Sequence, residues 1–183
     1  MDPLNPLIEK ARVAVRLDRY KMAATFATQA LALDPHSDDA KLQLARALYY
    51  ADRDEEARLI FLQLIASQPN DPRAYGFLGN IEFFKPRRVR SLALALDSYQ
   101  QALTRDVQDP FWSYRVIRCL RQMKRFDDAE EVLSQALGTS PLSVSLHREG
   151  VRIAMATQRR FMAARHLRRL LALAPDHAKT HDQ

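Results

Sequence analysis

Arginine residues recur along the chain at a nearly constant spacing. Arg12 and Arg46 are 34 residues apart, Asn80 stands 34 residues after Arg46, and Arg118 and Arg152 are again 34 apart. The guanidinium group is planar and always charged, and it binds a carboxylate or a phosphate through two parallel hydrogen bonds. A column of this kind suits the binding of an anionic partner.

The charge of the whole chain agrees with such a role. Its 183 residues carry a formal net charge of +6, and 22 of the 28 basic residues are arginine. A genome rich in G and C also enriches arginine together with alanine, so composition alone does not establish anion binding. The arginine positions therefore need a structural context.

Residues that could carry catalysis or hold a metal are few. His177 and His181 have the i, i+4 spacing of metal ligands on a helix, but the sequence places no third ligand near them. The single Cys119 lies beside a predicted buried face and is interpreted as a packed thiol. The sequence contains no glycine-rich phosphate loop and no arrangement typical of nucleophilic catalysis. We therefore predict a protein that is not an enzyme and uses no metal or cofactor.

Targeting signals are also missing from the sequence. No stretch approaches the ~20 apolar residues of a membrane-spanning helix. The first six residues carry neither the basic start nor the apolar core of a signal peptide. We expect a soluble protein in the cytoplasm.

A second, apolar repeat indicates the elements that position the arginines. It consists of an alanine, a large apolar residue four positions later, a small or apolar residue three further on, and a proline five later. The apolar positions follow the period of an amphipathic helix, and the proline ends that helix. The frame recurs with a period of 34 residues, as from Pro35 to Pro69. A fixed period of about this length is typical of stacked helix–turn–helix units. The frame occurs as Ala23, Ala27, Ala30, Pro35; as Ala57, Phe61, Leu64, Pro69; as Ala95, Tyr99, Ala102 without the proline; as Ala129, Leu133, Ala136, Pro141; and as Ala163, Leu167, Leu170, Pro175.

A third column marks where the first helix of a unit begins. Ser37, Asp71, Asp109 and Ser143 stand at one position of the period, and such side chains accept hydrogen bonds from the free N–H groups at a helix start. We predict one repeat domain over 4–175, with repeats at 4–37, 38–71, 72–109, 110–143 and 144–177, and a polar tail at 176–183. The third repeat is four residues too long, and the excess falls near 85–90, where we expect a basic turn.

The three columns together resemble the tetratricopeptide repeat family. The period, the helix–turn–helix unit, the apolar frame and Leu78-Gly79 carry the resemblance over nearly the whole chain, although no unit has the tryptophan that is typical near the start. The resemblance implies an all-α, right-handed superhelical solenoid of about five helix–turn–helix repeats, stabilised by the stacking of neighbours. It also implies that the first helix of each pair lines a concave groove.

The groove positions implied by the resemblance are rich in arginine and aromatic residues. Arginine supplies charge-assisted hydrogen bonds to carboxylates, and aromatic rings supply apolar area. We therefore predict a non-catalytic scaffold, adaptor or chaperone-like assembly factor that binds an acidic or extended protein segment. Some aromatic residues could instead pack between helices, Tyr50 and Phe84 more readily than Tyr49 and Phe83. The predicted groove residues are Arg12, Arg16, Arg46, Tyr49, Arg73, Asn80, Phe83, Tyr114, Arg118, Arg121, Arg148 and Arg152.

The last predicted helix offers a second candidate surface. Arg160, Arg165, Arg168 and Arg169 make it strongly basic, and few residues follow it to cover its apolar side. One interpretation is a terminal helix with a solvated outer face. The alternative is a docking surface for an acidic protein, a nucleic-acid backbone or a second copy of the chain, which would form a homodimer. Nucleic acid is the weaker of these partners, because the sequence has no base-reading motif.

Overall fold

The computed structural model describes residues 4–84 and 92–173, and these residues form ten α-helices and no strand. The predicted fold class, an all-α solenoid of helical repeats, is confirmed. None of the described helices is long and apolar enough to cross a membrane. The helices are α1 (Leu4–Arg16), α2 (Tyr20–Leu33), α3 (Asp38–Tyr50), α4 (Asp54–Ser67), α5 (Pro72–Phe84), α6 (Leu92–Arg105), α7 (Pro110–Gln122), α8 (Phe126–Thr139), α9 (Val144–Ala156) and α10 (Arg160–Leu173).

The chain divides into two compact units, α1–α5 (unit one) and α6–α10 (unit two). The division falls inside the predicted third repeat, between its two helices. The assignment of both units to one repeat domain stays a prediction. The expected basic turn near 85–90, the polar tail at 176–183, Pro175, His177 and His181 lie outside the described residues.

The predicted column of helix caps is confirmed. Ser37 Oγ and Ser143 Oγ each accept a hydrogen bond from the backbone N–H three residues later, at 3.3 Å and 3.5 Å. Asp71 and Asp109 each accept one from the N–H two residues later, at 2.8 Å and 2.9 Å. These bonds satisfy donors that a helix start leaves without a partner, and they fix where four of the first helices begin.

The described turns between the two helices of a repeat share one backbone conformation. Asp18, Asp52, Lys124 and Gln158 have φ angles between 57° and 59°, in the left-handed region. The next residue donates its N–H to the carbonyl five residues earlier, as Arg53 does to Leu48 at 2.9 Å. This bond satisfies a carbonyl at the end of the first helix and reverses the chain into the second helix.

The apolar frame forms the contact surface of the second helices. Ala23, Ala57, Ala95 and Ala129 are fully buried, and so are the large residues Phe61 and Tyr99. The frame changes in α10. Ala163 is still buried there, but Leu167, at the position of Phe61, is 45% exposed. The last of the second helices therefore leaves part of its frame accessible.

Candidate functional site

Four arginines on the first helices of unit one lie near one another. Burial lowers the pKa of Arg46 on α3, and the positive charges of Arg12 and Arg16 on α1 and of Arg73 on α5 lower it further. Three helices thus bring Arg12, Arg16, Arg46 and Arg73 together, and we call this set the arginine cluster. Such a concentration of positive charge attracts an anionic group.

Two members of the arginine cluster are paired with nearby carboxylates. Arg12 contacts Glu9 at 2.7 Å on the same helix, and Arg73 contacts Asp71 at 2.6 Å. Both arginine side chains remain partly exposed. Ion pairs of this kind contribute little stability.

The other two members have no carboxylate partner among the described residues. Arg46 donates to the amide oxygen of Gln43 at 3.0 Å, and that amide is neutral and buried. Arg16 is exposed and forms no ion pair with any described residue. The cluster therefore keeps an excess of positive charge.

A set of aromatic rings lies beside the arginine cluster. Tyr50 stacks on Tyr20 with ring centroids 5.4 Å apart and meets Phe77 edge-on at 6.3 Å. The guanidinium of Arg46 lies 6.0 Å from the centre of the Phe77 ring, within the range of a cation–π contact. Tyr20 and Phe77 were not among the predicted groove residues, because they stand outside the positions that the family resemblance singles out.

Tyr49 and Phe83, the predicted aromatic anchors of unit one, expose little of their rings. Tyr49 and Phe83 are buried, at 8% and 5% exposure, whereas Tyr50 and Phe84 are 41% and 37% exposed. Tyr49 packs edge-on against Phe77 at 5.4 Å. The order expected from the sequence is reversed, so Tyr50 and Phe84 offer the accessible rings. Asn80 is half-buried on α5.

The arginines of unit two are engaged differently. Glu149 on α9 is fully buried, and its two carboxylate oxygens contact Arg121 Nε of α7, at 2.9 Å, and Arg152 Nη1 of α9. A buried carboxylate is stable as an anion only when it is paired and hydrogen-bonded. Arg121 and Arg152, both predicted as groove residues, therefore serve an internal ion pair. Glu149 was missed because its partner on α7 is 28 residues away in the sequence.

A second group on α7 joins arginine and aromatic side chains. Arg118 donates to Tyr114 Oη at 3.3 Å and also lies over that ring, 5.5 Å from its centre. Arg115, which was not predicted, lies 4.7 Å from the centre of the Phe111 ring and 6.0 Å from that of Tyr99. Tyr114 and Arg118 are half-buried, so the predicted pair is partly accessible.

The remaining predicted residues are exposed. Arg148 on α9 is exposed, and so are the four arginines of the predicted terminal surface on α10, which are Arg160, Arg165, Arg168 and Arg169. The exposed apolar residues Phe161, Leu167 and Leu171 lie on the same helix. The two sets make α10 both basic and partly apolar.

Reactive side chains in the described residues offer little chemistry. Burial raises the pKa of the Cys119 thiol to about 12, so the sulfur stays protonated and packed, as predicted. Within residues 4–84 and 92–173, no group of three or more His, Cys, Asp or Glu side chains is placed to hold a metal ion.

The fold and its paired helices define a helical-repeat protein, and comparison with known families gives its class. Two tetratricopeptide repeat models match the chain, one at residues 14–81 and one at residues 87–144. The chain belongs to the tetratricopeptide repeat family. This fold supports protein–protein interaction, and proteins that carry it are typically non-catalytic.

Solved structures share the fold at low sequence identity. A crystal structure of MamA is 16% identical, with a TM-score of 0.76 over 92% of this chain and 96% of that one. TTC0263, a thermophilic TPR protein of Thermus thermophilus, is 19% identical, with a TM-score of 0.72 over 94% and 92%. YrrB, described as a TPR protein with an unusual peptide-binding site, is 19% identical, with a TM-score of 0.69 over 94% and 87%. No curated protein sequence matches the chain.

Proposed function

We propose that this protein is a cytoplasmic scaffold, adaptor or chaperone-like assembly factor that binds an acidic or extended protein segment on its first helices. The observation that carries the proposal is the arginine cluster of unit one, where Arg46 has only a neutral amide as its polar side-chain partner among the described contacts. The fold supports the same class of function, since its relative YrrB is described as having a peptide-binding site.

The cluster and its rings would act on different parts of the partner. Carboxylates of the bound segment would replace Glu9 and Asp71 at Arg12 and Arg73 and would form charge-assisted hydrogen bonds to Arg46. The exposed ring of Tyr50 would cover an apolar side chain of the segment. In unit two, Arg118 and Tyr114 would offer a smaller contact of the same kind.

The proposal is tested with a fluorescent peptide of alternating glutamate and leucine residues, by fluorescence anisotropy. Arg46→Glu combined with Arg118→Glu should weaken binding by at least about tenfold, because charge-assisted hydrogen bonds to the peptide are lost. Binding should also weaken as salt increases, since the contacts are ionic and partly exposed.

Matched controls separate this surface from that of α10. Arg165→Glu combined with Arg169→Glu changes the net charge by the same amount, and it should leave peptide affinity within about twofold of that of the unmodified chain. If this control abolishes binding while the Arg46 and Arg118 variant binds normally, the first-helix proposal fails. A peptide with lysine in place of glutamate should not bind.

The exposed frame of α10 supports a second candidate function, self-association. Leu167 is 45% exposed at a position where Phe61 and Tyr99 are fully buried by neighbouring helices. A second copy of the chain could cover this surface and form a homodimer. Light scattering across a range of concentrations tests this. Leu167→Ser should shift a dimer to the monomer, and a monomer at every concentration of the unmodified chain would exclude self-association.

A further inference from the structure

Unit two contains a cavity of about 490 Å³ between α8, α9 and α10. Leu133 and Leu137 of α8, Leu142 of the following turn and Met162 of α10 form apolar walls. Sites for small molecules fall in the range of ~300–1,000 Å³ and are mostly apolar with a few polar groups. The cavity has both properties, because His147 and His166 also line it.

Unit one has a smaller cavity at the equivalent position of the repeat, and different residues line it. Between α2, α3 and α4 the corresponding cavity has a volume of about 270 Å³. Leu31 and Pro35 line it there, as Leu137 and Pro141 line the larger cavity 106 residues later. The other matched positions carry Lys41, Leu44, Ile60 and Gln63 in unit one, and His147, Gly150, His166 and Arg169 in unit two. The larger cavity thus results from specific residues and not from the repeat itself.

The glycine at position 150 is required by the His166 ring. A Cβ atom placed on Gly150 would stand 2.6 Å from His166 Nε2 and 2.7 Å from two ring carbons. No side chain fits there unless the imidazole moves. Gly150 and His166 therefore act as a pair, in which the absence of one side chain gives room for the other.

The two imidazoles form one hydrogen-bonded chain with a defined direction. His147 Nε2 lies 3.0 Å from the carbonyl oxygen of Pro141, and a carbonyl accepts, so Nε2 carries the proton and donates. When Nδ1 of His147 carries no proton, it accepts from Nδ1–H of His166, at 3.0 Å. His166 Nε2 is left with a lone pair, and a proton added there keeps both existing hydrogen bonds.

The charged groups around the histidines favour an anion. Arg165 and Arg169 of α10 line the cavity one helical turn apart, and both are exposed. Glu130 of α8 is the one acid among the described lining residues, and Arg159 already pairs with it. Burial lowers the pKa of His166, His147 and Arg165 lower it further, and Glu130 opposes them. These surroundings therefore favour the neutral His166 ring, and a bound anion would favour the protonated ring.

We infer that this cavity binds a small aliphatic carboxylate, with its chain against the leucines and its carboxylate at the side formed by Arg165, Arg169 and His166. Apolar burial would supply most of the affinity. The two guanidinium groups and the protonated Nε2–H of His166 would select a carboxylate over an uncharged group of the same length. This site is independent of the arginine cluster, which lies in unit one.

Octanoate is the probe, and binding is measured by calorimetry and by shifts of the Gly150 amide and histidine ring signals in NMR spectra. We expect octanoate to bind at least about tenfold more tightly than octanol, and acetate, which lacks the apolar chain, not to bind measurably. Octanoate affinity should rise as the pH falls from 8 to 6, by at most about tenfold per pH unit, because binding takes up a proton at His166.

Two variants test the origin of the binding. His147→Lys with Gly150→Leu and His166→Ile installs the unit-one residues, so it should reduce octanoate binding at least tenfold and remove its pH dependence. Arg165→Gln with Arg169→Gln alters only exposed positions, and it should bring octanoate affinity closer to that of octanol, with His166 supplying the remaining preference. The inference is overturned if octanoate leaves the Gly150 amide unshifted or binds no better than octanol. Unchanged affinity in the folded Arg165 and Arg169 variant would also overturn it.

Discussion

The two units place a buried polar residue at the same point of the repeat and use it in different ways. Gln43 in unit one and Glu149 in unit two are 106 residues apart at equivalent positions, and both are almost completely buried. The neutral amide accepts one hydrogen bond, from Arg46. The carboxylate instead holds two arginines, Arg121 and Arg152.

This difference decides which arginines remain available to a partner. In unit two one buried carboxylate engages two of the predicted groove arginines, Arg121 and Arg152. In unit one the buried acid Glu82 pairs with Arg58 of α4, a second helix, and the arginines of the first helices keep their excess charge. An arginine column in a repeat sequence therefore does not by itself define a binding surface, because a residue three positions earlier can engage the arginine, as Glu9, Gln43 and Glu149 do.

Removing the buried carboxylate should have the largest effect. Glu149→Ala removes two charge-assisted hydrogen bonds and leaves a cavity at a fully buried position, so it should lower the free energy of unfolding by ~3–5 kcal/mol. Gln43→Ala removes a neutral acceptor and should lower it by ~1–3 kcal/mol. Unfolding in urea measures both values. Glu149→Gln should fall between the unmodified protein and Glu149→Ala, and equal losses for the two alanine variants would contradict the comparison.

Neutralising one arginine in each unit should separate binding from stability. Arg16→Gln removes an exposed charge that has no ion pair among the described residues, so affinity for the acidic peptide should fall about two- to fivefold, with stability unchanged. Arg152→Gln should lower the free energy of unfolding by ~1–3 kcal/mol and leave peptide affinity within about twofold. Anisotropy and urea unfolding of both variants are the measurements, and the reverse pattern would show that unit two carries the binding charge.

The helix caps should show where the two units are alike. Ser37→Ala and Ser143→Ala each remove one hydrogen bond to a backbone N–H with nearly the same geometry. Each should cost ~1 kcal/mol of unfolding free energy. Replacement by threonine, which caps in the same way, should restore most of it. A loss confined to one unit would mean that the caps are not equivalent.

Local features of the fold were predictable from the sequence. The side chain of a cap residue such as Ser37 accepts a hydrogen bond from the backbone N–H three residues later. A frame residue such as Phe61 is buried because of its position in the helical period. Both depend on short sequence separations, and the structure confirms both. Leu167 departs from the frame, since it stays 45% exposed on α10 at the position that Phe61 occupies on α4.

The candidate site was less predictable, because it depends on contacts between repeats. Tyr49 and Tyr50 are adjacent in the sequence, and Tyr49 is the buried one because it packs into a core with Phe61, Leu64 and Leu78. The Glu149–Arg121 pair joins residues of different repeats. The one sequence signal for this pair is that Glu149 stands at the repeat position of Gln43. The apolar periodicity does not explain a polar residue at that position.

The residues at the left-handed turns are not the most stabilising ones for their backbone conformation. Asp18, Asp52, Lys124 and Gln158 hold a conformation that is unfavourable by roughly 1 kcal/mol for a residue with a side chain and that glycine adopts freely. The four turns belong to four different repeats, so changes at them should add independently. Each of these four repeats can therefore be stabilised or destabilised at its turn while the arginine cluster and the buried Glu149 pair keep their contacts.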